Sequence, residues 1–158
     1  MFEIPLQFLT SLREPINMHD MKYAYAHNLI DKKTFSSYVT YIAAEGEHDR
    51  EDAQVFSVSN EPNQSEQLAE RVACPAESTP EQNRKWALIL ASFIIQSNIS
   101  DKLAAIENLY SELNYPEDLA RFVRYMPMSG PDMGSREANE NRMLESLKSM
   151  AADIVNMP

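Results

Sequence analysis

The stretch that decides the fold runs from Thr79 to Gln96: Thr79-Pro80-Glu81-Gln82-Asn83-Arg84-Lys85-Trp86-Ala87-Leu88-Ile89-Leu90-Ala91-Ser92-Phe93-Ile94-Ile95-Gln96. Thr79 has the chemistry of a helix N-cap, and Pro80 suits the first helical turn, where its missing N–H costs nothing. Gln82, three residues after the threonine, completes a capping-box pattern. Past Trp86 the segment is apolar on nearly every helical face. A helix that is apolar all round must be buried all round, so residues 80–96 are expected to be the central helix of the molecule. The apolar run from Trp86 to Ile95 would span about 15 Å as a helix, half of what a bilayer core requires. No transmembrane segment is expected.

Helical signals continue in both directions. Pro5 opens a short helix with Leu6, Leu9 and Leu12 on one side, and Pro15 is expected to end it. A second helix is expected over 18–28, with Met18, Met21, Tyr25 and Leu29 as its stripe. Asp31 caps a third, in which Phe35, Tyr38, Val39, Ile42 and Ala43 face inward, and Gly46 closes it. Residues 48–57 and 67–73 read as further short helices, and 55–58 is the best strand candidate, though a short one. After the central helix, Ser100 or Asn98 is expected to cap a helix with Leu103, Ile106, Leu109, Tyr110 and Leu113. Pro116 begins another, with Leu119, Phe122, Val123 and Met126, which Pro127 stops. Residues 126–135 form a loop, and 136–156 the last helix, with Met143, Leu144, Leu147, Met150, Ala151 and Ile154 inside.

These signals predict an all-α chain: one domain over 1–158, an irregular bundle of about eight or nine helices around the buried helix 80–96. The length, 158 residues, suits a single domain. Three glycines in the whole chain argue against an all-β fold, which spends glycine on tight turns.

Charge narrows the function classes. The net charge is −10, which disfavours nucleic acid and anionic membranes as direct partners. The acids are concentrated: residues 45–81 hold ten of them against Arg50 and Arg71, a net of −8. That segment is either a solvated face or a docking surface for a basic partner. Cys74 is the single cysteine, so no internal disulfide or zinc-type cysteine pair is available. The N-terminal residues lack a basic and then apolar leader, so no signal peptide is expected and the cytoplasm is the expected compartment.

Nucleotide-binding and nucleophile-elbow motifs are absent, as is H-E-x-x-H. His48 and Asp52 would share a helix face, but two ligands are short of a metal site. His27 sits where a cation complements a helix C-terminus. No catalytic residue, metal or cofactor is expected. Met126, Met128 and Met133 cluster at the loop, and methionine adapts to pliable interfaces. Of the tyrosines on the second and third helices, spacing turns Tyr25 and Tyr38 inward and leaves Tyr23 and Tyr41 as exposed candidates for a partner.

Three stretches carry a family resemblance: Met21 to Ile30 (MKYAYAHNLI), Arg84 to Leu90 (RKWALIL), and Leu113 to Leu119 (LNYPEDL) running into Phe122 to Pro127 (FVRYMP). They resemble a family of small bacterial helical proteins known as a domain of unknown function. Members of that kind occur as candidate immunity proteins of polymorphic and contact-dependent toxin systems. The resemblance extends to about Pro127, with Asn114 standing where the family usually has an acid before Tyr-Pro. It implies a toxin-neutralising binding protein, not an enzyme, whose partner is a cognate toxin domain, basic and nuclease-like. Its acidic surface would be carried by Glu47, Asp49, Glu51, Asp52, Glu66 and Glu70. The alternative is a helical adaptor that binds a host protein through its methionines and tyrosines.

Overall fold

The structure is a computed structural model that describes residues 1–45, 79–127 and 130–156. Seven helices lie among the described residues, against the eight or nine expected: α1 (Leu6–Thr10), α2 (Met18–Ala26), α3 (Lys32–Glu45), α4 (Pro80–Gln96), α5 (Lys102–Glu112), α6 (Glu117–Ala120) and α7 (Arg136–Ile154). No strand occurs among them; an isolated parallel bridge joins Phe2 and Ile30. The fold is all-α. The helices expected at 48–57 and 67–73, the strand candidate 55–58, and Gly46, His48, Asp52, Cys74 and Met128 lie outside the described residues. The chain divides into two compact units, Met1–Ser78 and Thr79–Pro158.

In the first unit the chain closes on itself through backbone groups. Phe2 donates its N–H to the Leu29 carbonyl and accepts from Asp31, both at 2.9 Å. Ile4 donates to the buried Thr34 hydroxyl at 2.8 Å. The first helix ends at Thr10, short of Pro15. The hydroxyls of Thr10 and Ser11 turn back to the carbonyls of Gln7 and Phe8, satisfying groups that a longer helix would have used. The second helix opens with a complete capping box between Asn17 and Asp20. It ends in a Schellman motif: Leu29 N–H reaches back to the Ala24 carbonyl, Asn28 N–H to Tyr25, and Asn28 adopts φ 56°. His27 is the C-cap residue and is exposed. Asp31 caps α3 through the Thr34 N–H at 2.8 Å. Helices α1 and α2 both pack on α3.

In the second unit α4 has the bounds expected of it, capped by Thr79, whose hydroxyl accepts from Gln82 N–H at 3.3 Å. Trp86, Ala87, Ile89, Leu90, Ala91, Ser92, Ile94 and Ile95 are all buried. Ser92, the one polar side chain in that run, donates to the Leu88 carbonyl at 2.7 Å and so enters the core satisfied. Helices α5, α6 and α7 all pack against α4. Asn83 of α4 donates to the Leu113 carbonyl at the end of α5 at 2.9 Å, and Lys102 of α5 donates to the Ile95 carbonyl near the end of α4 at 2.6 Å. Each side chain takes up a carbonyl that a helix terminus would otherwise leave unused.

Two further boundaries differ from expectation. The cap of α5 is Asp101, not Ser100 or Asn98; its carboxylate accepts from Ala104 N–H at 2.9 Å. Helix α6 is a single turn, ending at Ala120 instead of running to Met126. Beyond it the chain tightens into i→i+3 turns, with Phe122 N–H on Leu119 and Val123 N–H on Ala120. The Arg124 N–H is taken by the Glu107 carboxylate, as described below.

Two substitutions in α4 differ in their expected cost. Trp86→Ala should cost about 3–5 kcal/mol through the cavity it leaves. Ser92→Ala removes only a bond to a carbonyl that already serves the helix, so it should change stability by no more than about 1 kcal/mol. Urea unfolding of the two variants measures the difference, and comparable losses in both would contradict a tightly packed apolar α4.

Candidate functional site

The sequence-derived site residues divide into three groups. Glu47, Asp49, Glu51, Asp52, Glu66 and Glu70 lie outside the described residues. Tyr41 is half-buried, its ring 5.9 Å from that of Tyr38. Tyr23 does not have the exposure expected of it: it is 2% exposed, while Tyr25, expected inside, is half-buried and stacks on Phe35 at 4.8 Å. Helix α2 buries Met18, Met21, Tyr23 and Ala24, a face rotated from the assumed stripe through Tyr25.

The polar architecture of the second unit centres on Arg124. Its guanidinium forms a two-pronged pair with Glu107, Nε to Oε1 at 2.8 Å and NH2 to Oε2 at 3.0 Å. The Arg124 backbone N–H donates to the same Oε1 at 3.0 Å. Asp101 approaches NH1 at 3.5 Å and Glu140 at 3.6 Å, and Glu140 is shared with Arg136 at 3.1 Å. The network ties α5, the turns after α6 and the first turns of α7 together. Planar guanidinium and carboxylate match in geometry, and a charged pair with both prongs made is among the stronger polar contacts. Both oxygens of Glu107 are occupied, so its role is to hold the backbone in place.

The Glu107 carboxyl is held below the ordinary glutamate value, first by the hydrogen bond from the Arg124 side chain and then by that from its backbone, against the opposing effect of burial. Asp101 is also lowered, chiefly by the Ala104 N–H that it caps.

The loop before α7 is pinned in a similar way. Asp132 accepts from Gly134 N–H at 2.9 Å and from the Asn139 amide at 3.1 Å, while the Asn139 oxygen accepts from Met133 N–H at 2.9 Å. These bonds hold the Asp132 carboxyl below its usual value, with the Gly134 N–H the largest cause. Gly134 takes φ 93°, open to glycine and strained for other residues. Between loop and network lies a shallow open groove of ≈ 580 Å³, lined by Arg124, Tyr125, Asp132, Ser135, Arg136 and Met143 among others.

Two exposed tyrosines stand at this end of the unit, Tyr115 at 60% and Tyr125 at 65%, with Met133 at 54%. Helix α5 ends in a Schellman motif: Tyr115 N–H bonds the Tyr110 carbonyl at 2.8 Å and Asn114 N–H bonds Ser111 at 3.2 Å. Asn114 takes φ 60°, as asparagine tolerates, but Tyr115 follows at φ 62°. An aromatic residue before proline favours extended backbone, so this conformation is strained by roughly 1–3 kcal/mol. The Tyr115 ring meets Tyr110 edge-on at 5.3 Å, the usual contact between these two positions of the motif. Neither Tyr115 nor Tyr125 is among the tyrosines that helical spacing marks as exposed. The available signal was the Asn-Tyr-Pro sequence itself, which places asparagine at the left-handed end of a helix and pushes the next side chain outward.

No group of three or more histidines, cysteines and carboxylates able to hold a metal occurs among the described residues. No helix among them is long and apolar enough to cross a membrane.

The model of a bacterial family described as "uncharacterized protein conserved in bacteria" (DUF2247) matches residues 6–151, and the chain belongs to that family. The match supports the resemblance to a bacterial family of unknown function and carries it past Pro127 through most of α7. No curated protein and no solved structure matches the chain.

The Glu107 pair has a definite pH signature. A carboxyl whose folded pKa lies below its unfolded one binds fewer protons in the folded state. Its contribution is complete above the unfolded value, about 4.3, and is lost as pH falls through the folded value. Glu107→Gln should therefore cost about 1.5–3 kcal/mol at pH 7 and lose less stability than the parent on acidification below that value. Unfolding curves at stepped pH test this; parallel pH profiles would contradict the pairing.

Proposed function

We propose that this member of the DUF2247 family is a non-catalytic binding protein that neutralises a cognate bacterial toxin, a nuclease being the class that fits best. The observation that carries the proposal is the concentration of charge: a net of −8 within residues 45–81, out of −10 for the chain. A nuclease presents a basic groove to its polyanionic substrate. An acidic helical protein can occupy that groove in the substrate's place, and its field raises the rate of encounter. Glu47, Asp49, Glu51, Asp52, Glu66 and Glu70 are the proposed contacts, with Tyr41 as an adjoining aromatic; the burial of Tyr23 removes it from the surface. An inhibitor of this kind acts in the cytoplasm, where the toxin would reach its substrate.

The test is a binding titration, across a range of salt concentrations, against the C-terminal domain encoded by the gene directly upstream. The proposal expects binding that weakens with salt and abolishes the domain's toxicity. Reversing Glu47, Asp49, Glu51 and Asp52 together to lysine should slow association at low salt by at least about tenfold, with the gap closing at high salt. Association rates untouched by the reversal would remove the acidic segment from the interface, and absence of binding at low salt would refute that pairing.

A further inference from the structure

We infer that a small recess between Arg121 and Arg142 in the second unit is a binding site for a carboxylate group. The recess, ≈ 30 Å³ in volume, has Arg121, Arg124 and Arg142 among its walls, together with Val123, Met126 and Met143. No acid is among the described residues that line it. In a chain where 24 acids stand against 14 lysines and arginines, that is a local inversion of charge. The volume limits the occupant. One water needs about 10–15 Å³, so the recess holds about two atoms of that size, which suits the paired oxygens of a carboxylate.

The three arginines differ in what they can still bind. Arg124 is committed: its Nε and NH2 hold Glu107, and its NH1 faces Asp101 and Glu140. Among the described residues no carboxylate comes within ion-pair distance of Arg121 or Arg142. Arg121 is exposed and lies over the Phe122 ring, with Cζ 4.7 Å from its centroid. That contact uses the flat face of the guanidinium and leaves the N–H donors at its edge to another group. Asp132 senses the charge of Arg142, but it is held by the Gly134 N–H and the Asn139 amide on its own loop.

The place of Arg142 is built into the chain. It is half-buried, and a side chain at position 130 would displace its guanidinium, so Gly130 is what leaves it room. A charge drawn partly out of water beside like charges is unfavourable until an anion approaches. The planar guanidinium matches a carboxylate in geometry, and apolar walls strengthen the attraction. The recess shares Arg124, Asn139 and Met143 with the open groove before α7, so a carboxylate carried on a peptide chain can reach it as well as a free one. The site is separate in sequence from 45–81 and does not rest on the toxin reading.

The experiment titrates the full chain with acetate, and with acetamide as its uncharged counterpart, following the arginine side-chain Nε–H signals by NMR. Acetate is expected to shift Arg121 and Arg142 to saturation and to leave Arg124, already held by Glu107, in place. Acetamide should move none of them. Arg142→Gln should weaken acetate binding about tenfold. Gly130→Ala keeps every charge but pushes the Arg142 guanidinium aside, so it should weaken binding too, and an unchanged amide spectrum outside 121–143 shows that either variant is folded. A blocked glutamate–glycine peptide separates the two sources. Binding tighter than acetate, with shifts along the groove at Tyr125 and Ser135, supports a carboxylate carried by a protein; binding no tighter supports a small free one. Shifts that never saturate, equal shifts at Arg13 and Arg84, or an Arg142→Gln variant that binds like the parent would reduce the recess to ordinary surface charge and overturn the inference.

Discussion

The burial of α4 is the constraint on which the second unit depends. A helix apolar on nearly every face from Trp86 to Ile95 has little to give to solvent: only Leu88 and Phe93 of that run are half-buried instead of buried, and α5, α6 and α7 all pack on it. Hydrophobic burial has no direction, so packing alone would leave the helices free to slide. The polar tethers remove that freedom. Asn83 fixes the end of α5 against the first turns of α4, and Lys102 fixes the start of α5 against its last turn. The end of α5 therefore has a defined place, and Tyr115 projects from it.

A second device follows from the shortage of glycine. With three glycines in the chain, helices cannot all end on one. Helices α2 and α5 end instead on Asn28 and Asn114, each at positive φ, with the bonds of a Schellman motif. The turns after α6 lack such a closure and are held by a side chain from elsewhere. Glu107 takes the N–H and guanidinium of Arg124 and so ends the helical path that the sequence could have continued. The outcome is irregular backbone with few free degrees of motion, a suitable base for exposed aromatic groups.

Local chemistry explains which parts of this were legible in the sequence. The limits of α4, the Asp31 cap of α3 and the inward residues of α5 follow from capping groups and periodicity within a few residues of one another. The end of α6 did not, because its cause, Glu107, is 17 residues before the Arg124 that it binds and acts only once α5 is in place. The cap of α5 is ambiguous in the sequence because Asn98, Ser100 and Asp101 have similar capping chemistry, and only the register of α5 against α4 distinguishes them. Tyr23 looks exposed when α2 is given a single stripe through Tyr25, whereas the helix is buried on a broader, rotated face. The acidic candidates of 45–81 were legible as charge and as nothing more, since a run of acids has the same appearance whether it solvates or binds. Tyr115 and Tyr125 were legible only as members of a family-like block; their exposure and the strain at Tyr115 belong to the tertiary structure.

We propose that this protein works by presenting acidic groups within 45–81 to a basic partner. Hydrogen exchange on the full chain, free and saturated with the toxin domain encoded upstream, tests it most directly. The slowest exchange is predicted for α4 in both states, with the partner adding protection within 45–81 while leaving α4 unchanged. Added protection confined to other segments, or a partner that reorganises α4 itself, would contradict it.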